Sequence, residues 1–226
     1  MRVCCPRPGC CALYAVSSGQ SFPQTCTAIF EGSTCGRPLG RTCRTVAGQT
    51  YLRPIRIFHF QSIGTWIGQL LSRPGIEAMM ETYVATAREA TVDSAADAWH
   101  APLFRNFNFG VTPAANELRL IFSLSVDWFT AHAHHGAGGK KWSIGAIYLV
   151  CMNLPPKLRF LPENICVVGI IPGPTKPVGT AIDRFMDIIV DELHMLYHDG
   201  VFLTRTAKHS TGRLVRGALG PVIADL

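Results

Sequence analysis

Apolar and polar positions alternate most strictly over residues 117–129. Leu118, Leu120, Phe122, Leu124 and Val126 fall on one side of a period of two, and Arg119, Ile121, Ser123 and Ser125 on the other. That period predicts a strand with one strongly apolar face. It also points Asp127, where the run ends, away from that face. A charge at the end of a buried strand is costly unless something pairs with it. Further along, residues 142–154 read as a second strand, stopped by Pro155 and Pro156. Residues 165–171 read as a third, apolar on both faces as a central strand requires. Residues 181–197 carry Ile182, Phe185, Met186, Ile189, Val190, Leu193 and Leu196 at helical spacing. Thr180 is the expected N-cap, Asp183 falls in the first turn, and Gly200 lies just past the end. Residues 213–225 are a fourth extended segment, again ending on a carboxylate, Asp225. Gly217, Gly220 and Pro221 weaken that strand, and a short helix is the alternative.

The first half of the chain is patterned differently. Residues 51–60 are short and extended, with Arg53 and Arg56. Helical spacing returns at Ile63, Trp66, Ile67, Leu70 and Leu71, and again at Ile76, Met79, Met80 and Tyr83, with Pro74 near the second start. Residues 85–98 predict a loop or a marginal helix. The aromatic residues Trp99, Phe104, Phe107 and Phe109 are expected to pack against the downstream domain. Residues 46–116 therefore read as a helical adaptor ahead of a domain over 117–226.

Residues 1–45 have few core formers but hold Cys4, Cys5, Cys10, Cys11, Cys26, Cys35 and Cys43. Such a stretch cannot bury enough apolar surface to order itself alone. In a reducing compartment its thiols point to structural Zn²⁺, which takes four ligands as two close pairs on turns. Cys5 with Cys10, and Cys26 with Cys35, make such pairs, at spacings wider than usual. Cys4 and Cys11 remain alternatives, as do a tail with incidental thiols and a secreted disulfide knot. His132, His134 and His135 invite a metal reading too, but a glycine-flanked loop makes a poor cage.

Composition narrows the classes. Of 226 residues, 48% are hydrophobic and 16% charged, which excludes a disordered chain. The net charge of +6 fits a polyanionic partner without demanding one. No apolar run reaches the roughly 18 residues of a bilayer span, so no membrane partner is expected. The first residues lack the apolar segment of a secretion signal. The expected setting is nuclear or intracellular, not secreted. Neither a Gly-x-Ser-x-Gly elbow nor a Walker-type phosphate loop occurs.

Strand, strand, strand, helix, strand is the opening order of a ribonuclease-H-like domain, in which a meander and a crossover helix bring the fourth strand beside the first. The expected fold class is α/β (α+β): an incomplete ribonuclease-H-like mixed sheet behind a small cysteine-rich module and a short adaptor. Adjoining strand ends would bring Asp127 and Asp225 together. Two carboxylates cannot both stay ionised cheaply there unless a cation joins them. Hard oxygen ligands select Mg²⁺ or Mn²⁺, and two such ions about 3.5–4 Å apart serve phosphodiester chemistry.

Several blocks in order, 118–129, 144–156, 162–165, 168–174 and 212–216, resemble consecutive blocks of the CACTA-type DNA transposases. The cysteine stretch with Ala12, Leu13 and Tyr14 is similar to the zinc-ribbon-like region upstream of that family's catalytic domain. The resemblance implies a metal-dependent enzyme that cuts and rejoins DNA ends through an Asp-Asp-Glu/Asp triad. Asp127 would be the first metal-binding acid and Asp225 the second. DNA, specifically transposon ends, would be the partner, with a homo-oligomer an option for the full-length family. Two departures stand out. Relatives tend to read Trp-Phe-Asn-Pro-Phe-Gly after the first acid, whereas Trp128 and Phe129 are followed here by Thr130, Ala131 and His132. The sequence also stops at Leu226, before a further helix, a fifth strand and the third acid. The expectation is a truncated or degenerate transposase, inactive as this chain and with an open sheet edge. The alternative is a non-catalytic zinc-containing nucleic-acid-binding protein holding phosphates with Arg37, Arg41, Arg44, Arg53 and Arg56.

Overall fold

The long alternating run lies inside an eight-stranded mixed sheet. The computed structural model describes residues 1–16, 21–89, 97–131 and 142–224. Strands in the first half are β1 (Arg2–Cys4), β2 (Leu13–Ala15), β3 (Ile29–Phe30), β4 (Ser33–Thr34), β5 (Gly40–Arg44), β6 (Thr50–Pro54) and β7 (Ile57–Phe60). The second half adds β8 (Leu118–Ala131), β9 (Trp142–Cys151), β10 (Ile165–Ile171), β11 (Val201–Leu203) and β12 (Arg213–Ala224). The helices are α1 (Ile63–Leu71), α2 (Ile76–Glu89), α3 (Pro102–Arg105), α4 (Pro156–Arg159) and α5 (Asp183–His198).

The sheet runs β11-β12-β8-β9-β10-β7-β1-β2. β8, β9 and β10 form an antiparallel meander. The chain then crosses through α5 and returns as β12, which pairs parallel with β8. At the other end β7, β1 and β2 add antiparallel strands. One continuous sheet thus draws on the cysteine-rich stretch, the adaptor and the region after residue 117. β3 with β4, and β5 with β6, are separate two-stranded ribbons.

Both faces of β8 are covered. Leu118, Leu120, Phe122, Leu124 and Val126 join the main core beneath α1, the start of α2, and α5. Trp66 meets Phe122 edge-on, ring centres 6.3 Å apart. On the opposite face Ile121 packs with Ala87, Trp99, Phe104 and Met152, as expected of the aromatic stretch. The Trp99 indole donates to the Met152 carbonyl at 2.6 Å. Where β9 has ended, the Asn153 side chain continues the ladder, accepting from the Ile121 N–H at 2.7 Å and donating to the Arg119 carbonyl at 2.9 Å.

Several local expectations are corrected. Thr180 does not cap α5; it lies in a 3-10 turn, residues 179–182, that runs straight into the helix. At the other end the Asp199 and Gly200 N–H groups both reach the Met195 carbonyl, with Gly200 at φ +75°. That is the left-handed helix stop glycine permits. Residues 213–224 are a strand, not a short helix. Pro221 shows only as a register shift between Leu219 and Val222, where its missing N–H is tolerated. Of the loop or marginal helix expected over residues 85–98, the first part is helical, since α2 continues to Glu89. At Gly217 α5 packs close on the sheet: a Cβ there would sit 2.5 Å from Leu196 Cδ2. β11, which the sequence did not suggest, pairs only with residues 213–215, so among the described residues the rest of β12 has no neighbour on that edge. The histidines at 132, 134 and 135 lie outside the described residues.

Candidate functional site

Two short turns bring the expected thiols together. After β1 the chain folds back on itself, with the Cys10 and Cys11 N–H groups donating to the Arg7 carbonyl and the Cys5 N–H to the Ala12 carbonyl. The second turn is clipped at its base: the Cys26 N–H donates to the Arg37 carbonyl, the Gly36 N–H to the Cys26 carbonyl, and the Cys35 N–H to the Ala28 carbonyl. The β3–β4 ribbon is the loop between them. Val3, Ala12 and Leu39 pack with Cys5, Cys10 and Cys26 in a small separate core.

The sulfur atoms of Cys5, Cys10, Cys26 and Cys35 all lie within 4.8 Å of one another. Cys5 Sγ and Cys35 Sγ are 3.8 Å apart, and Cys10 Sγ and Cys26 Sγ 3.7 Å. A tetrahedral zinc with Zn–S bonds of about 2.3 Å requires sulfurs about 3.8 Å apart. The four thiols could therefore hold a metal such as zinc, and the donor set suits it. Cys4 and Cys11 belong instead to the main core beneath the sheet, and Cys43 lies on β5.

Burial and backbone N–H groups act on the sulfurs in opposite directions. Burial pushes the Cys10 thiol up to about 11 and raises Cys5, against N–H groups from Ala12 and Arg7 that work the other way. Cys35 is held below the usual thiol range: its burial opposes this, but the Arg37 N–H and the neighbouring thiols outweigh it. Each of these three sulfurs thus has an N–H from the residue two places on. For Cys26 the corresponding N–H, from Ala28, goes to the Tyr14 hydroxyl at 3.2 Å. The Thr27 N–H donates to the same oxygen at 2.8 Å, and Tyr14 Oη lies 3.2 Å from Cys26 Sγ. Burial and the contact with Cys26 raise the Tyr14 pKa, which keeps a proton for donation to the sulfur. Tyr14 is a side-chain partner of the cluster that thiol spacing did not reveal; its position in the Ala12-Leu13-Tyr14 block was the available signal. Tyr14→Phe is expected to weaken zinc binding about tenfold or more, the usual cost of losing an outer partner. Competition with a chromophoric chelator measures it, and unchanged affinity would contradict the role.

At the other candidate site, β12 lies parallel to β8 with Val222 opposite Leu124, Ile223 opposite Ser125 and Ala224 opposite Val126. Asp127 follows Val126, is exposed on the face expected, and its Oδ1 accepts the Trp128 N–H at 2.8 Å. Asp225 lies outside the described residues. Among the described residues, the four thiols are the one group of three or more metal-binding side chains that converge.

Two arginines set the start of β12. Arg213, 5% exposed, pairs with Glu77 at 3.0 Å and Glu81 at 2.9 Å on α2. Arg216 lies 3.6 Å from Glu117, which also holds Arg119 at 2.6 Å. Arg56 must be withdrawn from the phosphate-binding set. It is buried, and its guanidinium donates to the carbonyls of Cys5, Pro6 and Pro172.

No helix among the described residues is long and apolar enough to cross a membrane. A comparison with curated proteins finds no match. The family model described as transposase family tnp2 matches residues 93–225, which takes in the α5 crossover, the whole β8–β9–β10 meander and β12. That match covers more than half of the chain, and the chain belongs to the tnp2 transposase family.

Proposed function

We propose that this chain derives from a CACTA-type DNA transposase and that residues 117–226 are the leading part of a ribonuclease-H-like catalytic domain. The supporting observation is the parallel register of β12 on β8, which runs as far as Ala224 opposite Val126. The next residues of the two strands are Asp225 and Asp127. In this reading the two carboxylates hold Mg²⁺ or Mn²⁺, which when bound polarises a DNA phosphodiester for attack. Asp127 is placed for it by alternation, since its exposed side chain stands off the face that Val126 buries. Residues 1–45 serve as a zinc-ribbon-like module with Cys5, Cys10, Cys26 and Cys35 as ligands, and 46–116 as the adaptor. The protein works inside the cell, on DNA in the nucleus; reduced cysteines are in keeping with such a compartment.

The 226-residue polypeptide by itself is expected not to cleave DNA, because a two-metal centre needs more ligands than the Asp127 and Asp225 of this reading supply. A supercoiled-plasmid assay with Mn²⁺ tests this. Intact plasmid is the expected result; nicking that Asp127→Ala abolishes would show a working catalytic centre and overturn it.

A further inference from the structure

The ribbon formed by β5 and β6 carries a face whose composition calls for an anion. Arg41 stands directly opposite Arg53 and Cys43 opposite Tyr51. The pleat puts these four side chains on one side, with Thr42, Arg44, Thr50 and Leu52 on the other. Arg41 and Arg53 are exposed, and Tyr51 is 48% exposed. Like charges directly opposite one another destabilise a strand pair, and neither guanidinium has an ion pair among the described residues. Nor does the surrounding sequence supply one. No Asp or Glu occurs between Glu31 and Glu77, while Arg37, Arg41, Arg44, Arg53, Arg56 and Arg73 do.

The ribbon is nonetheless rooted. Leu39, at its base, is fully buried in the thiol core. The Leu39 N–H donates to the Gln24 carbonyl at 2.8 Å, and the Ile55 N–H donates to the Leu39 carbonyl at 2.9 Å. At the far end the Thr45 N–H meets the Gln49 carbonyl at 2.8 Å and Gly48 takes φ +82°, closing a tight tip. The thiol cluster thus anchors a basic two-stranded arm.

We propose that this arm is a docking surface for duplex DNA, inserted at the major groove with Arg41 and Arg53 each on a phosphate and the Tyr51 hydroxyl beside them. The assignment rests on the reading of the chain as a DNA-handling protein and adds where the contact is made. A two-stranded ribbon fits the B-form major groove. The narrow, deep major groove of A-form RNA does not admit it. Guanidinium and tyrosyl contacts to phosphate position a protein without reading sequence.

Fluorescence anisotropy of a labelled DNA duplex, titrated with the zinc-loaded chain over a range of salt, tests the assignment. Losing two phosphate contacts in Arg41→Ala/Arg53→Ala should make the log–log salt slope shallower by about 1.8 and weaken binding about thirtyfold at physiological salt. Zinc stoichiometry should stay at that of the unaltered chain, showing the arm's base intact. Arg44→Ala, which removes a charge from the other face, should cost much less per charge; an equal cost would mean diffuse attraction and overturn the face. An RNA duplex of the same sequence should bind more weakly and be indifferent to the pair; equal, pair-dependent RNA binding would overturn the choice of DNA. If the unaltered chain binds DNA and the double variant binds as well with the same slope, the arm fails alone. If the unaltered chain binds no DNA, the broader reading fails with it.

Discussion

Cys26→Ser is expected to abolish tight zinc binding and to melt residues 21–54, including the β5–β6 ribbon, while the eight-stranded sheet stays folded. The small core around the thiols consists of Val3, Cys5, Cys10, Ala12, Cys26 and Leu39. Half of it is cysteine, so little apolar burial remains to hold the two turns together without a metal. Structural zinc in small modules contributes about 10–16 kcal/mol of apparent binding free energy, which is also folding free energy there. The sheet has its own large core, from Cys4 to Val215, and does not depend on that contribution. Hydrogen exchange resolves the two regions, and the thiolate-to-metal charge-transfer band of a Co²⁺-substituted sample reports the site. Fast exchange confined to 21–54 with loss of the band is the expected result. Full retention of both in the serine variant would contradict the assignment of Cys26 as a ligand.

Arg213→Met is expected to destabilise the sheet by about 3–5 kcal/mol, because it strands a buried carboxylate. Glu77 is 1% exposed, and Arg213 Nη1 is its charged partner at 3.0 Å. The other Glu77 oxygen accepts the Lys208 N–H at 3.0 Å, so the turn before β12 depends on the same carboxylate. Pairing Arg213→Met with Glu77→Gln should recover much of the loss, since the buried charge goes with its partner. Glu81 adds a pH signature. Burial alone would raise its pKa, but Lys208 and Arg213 outweigh that and hold it below the usual 4.5. Its contribution is therefore fully present above that value and is lost as pH falls through the depressed one. Urea midpoints measured from pH 6 downward should converge for the native chain and Glu81→Gln in acid; a constant gap would contradict the pairing.

Legibility in the sequence tracks how local each signal is. The alternation over 117–129 needs no distant partner to be read, and β8 and the outward Asp127 come directly from it. Helical spacing gave α1 to the residue and α5 within two. Two thiol pairs and the demand for four ligands pointed to Cys5, Cys10, Cys26 and Cys35 while leaving Cys4 and Cys11 open, and it is the fold that brings the first four together. The misses are non-local. β1, β2 and β7 are too short to show a period, so their joining of the main sheet was invisible. Arg56 looked like one more surface arginine because the carbonyl of Pro172 that it bonds is far along the chain. The Glu77–Arg213 pair spans 136 positions, and no spacing rule reaches that distance. Thr180 had the right chemistry for a cap, yet it lies inside the preceding 3-10 turn, where its backbone carbonyl, not its hydroxyl, accepts the Asp183 N–H.

The central claim is that Asp127, within β8, and Asp225, next in sequence after β12, share a divalent ion. Electron paramagnetic resonance of Mn²⁺ titrated into the zinc-loaded chain tests it most directly. One bound ion, lost in Asp127→Asn and equally in Asp225→Asn, is the predicted result. No bound Mn²⁺, or binding that survives both substitutions, would contradict it.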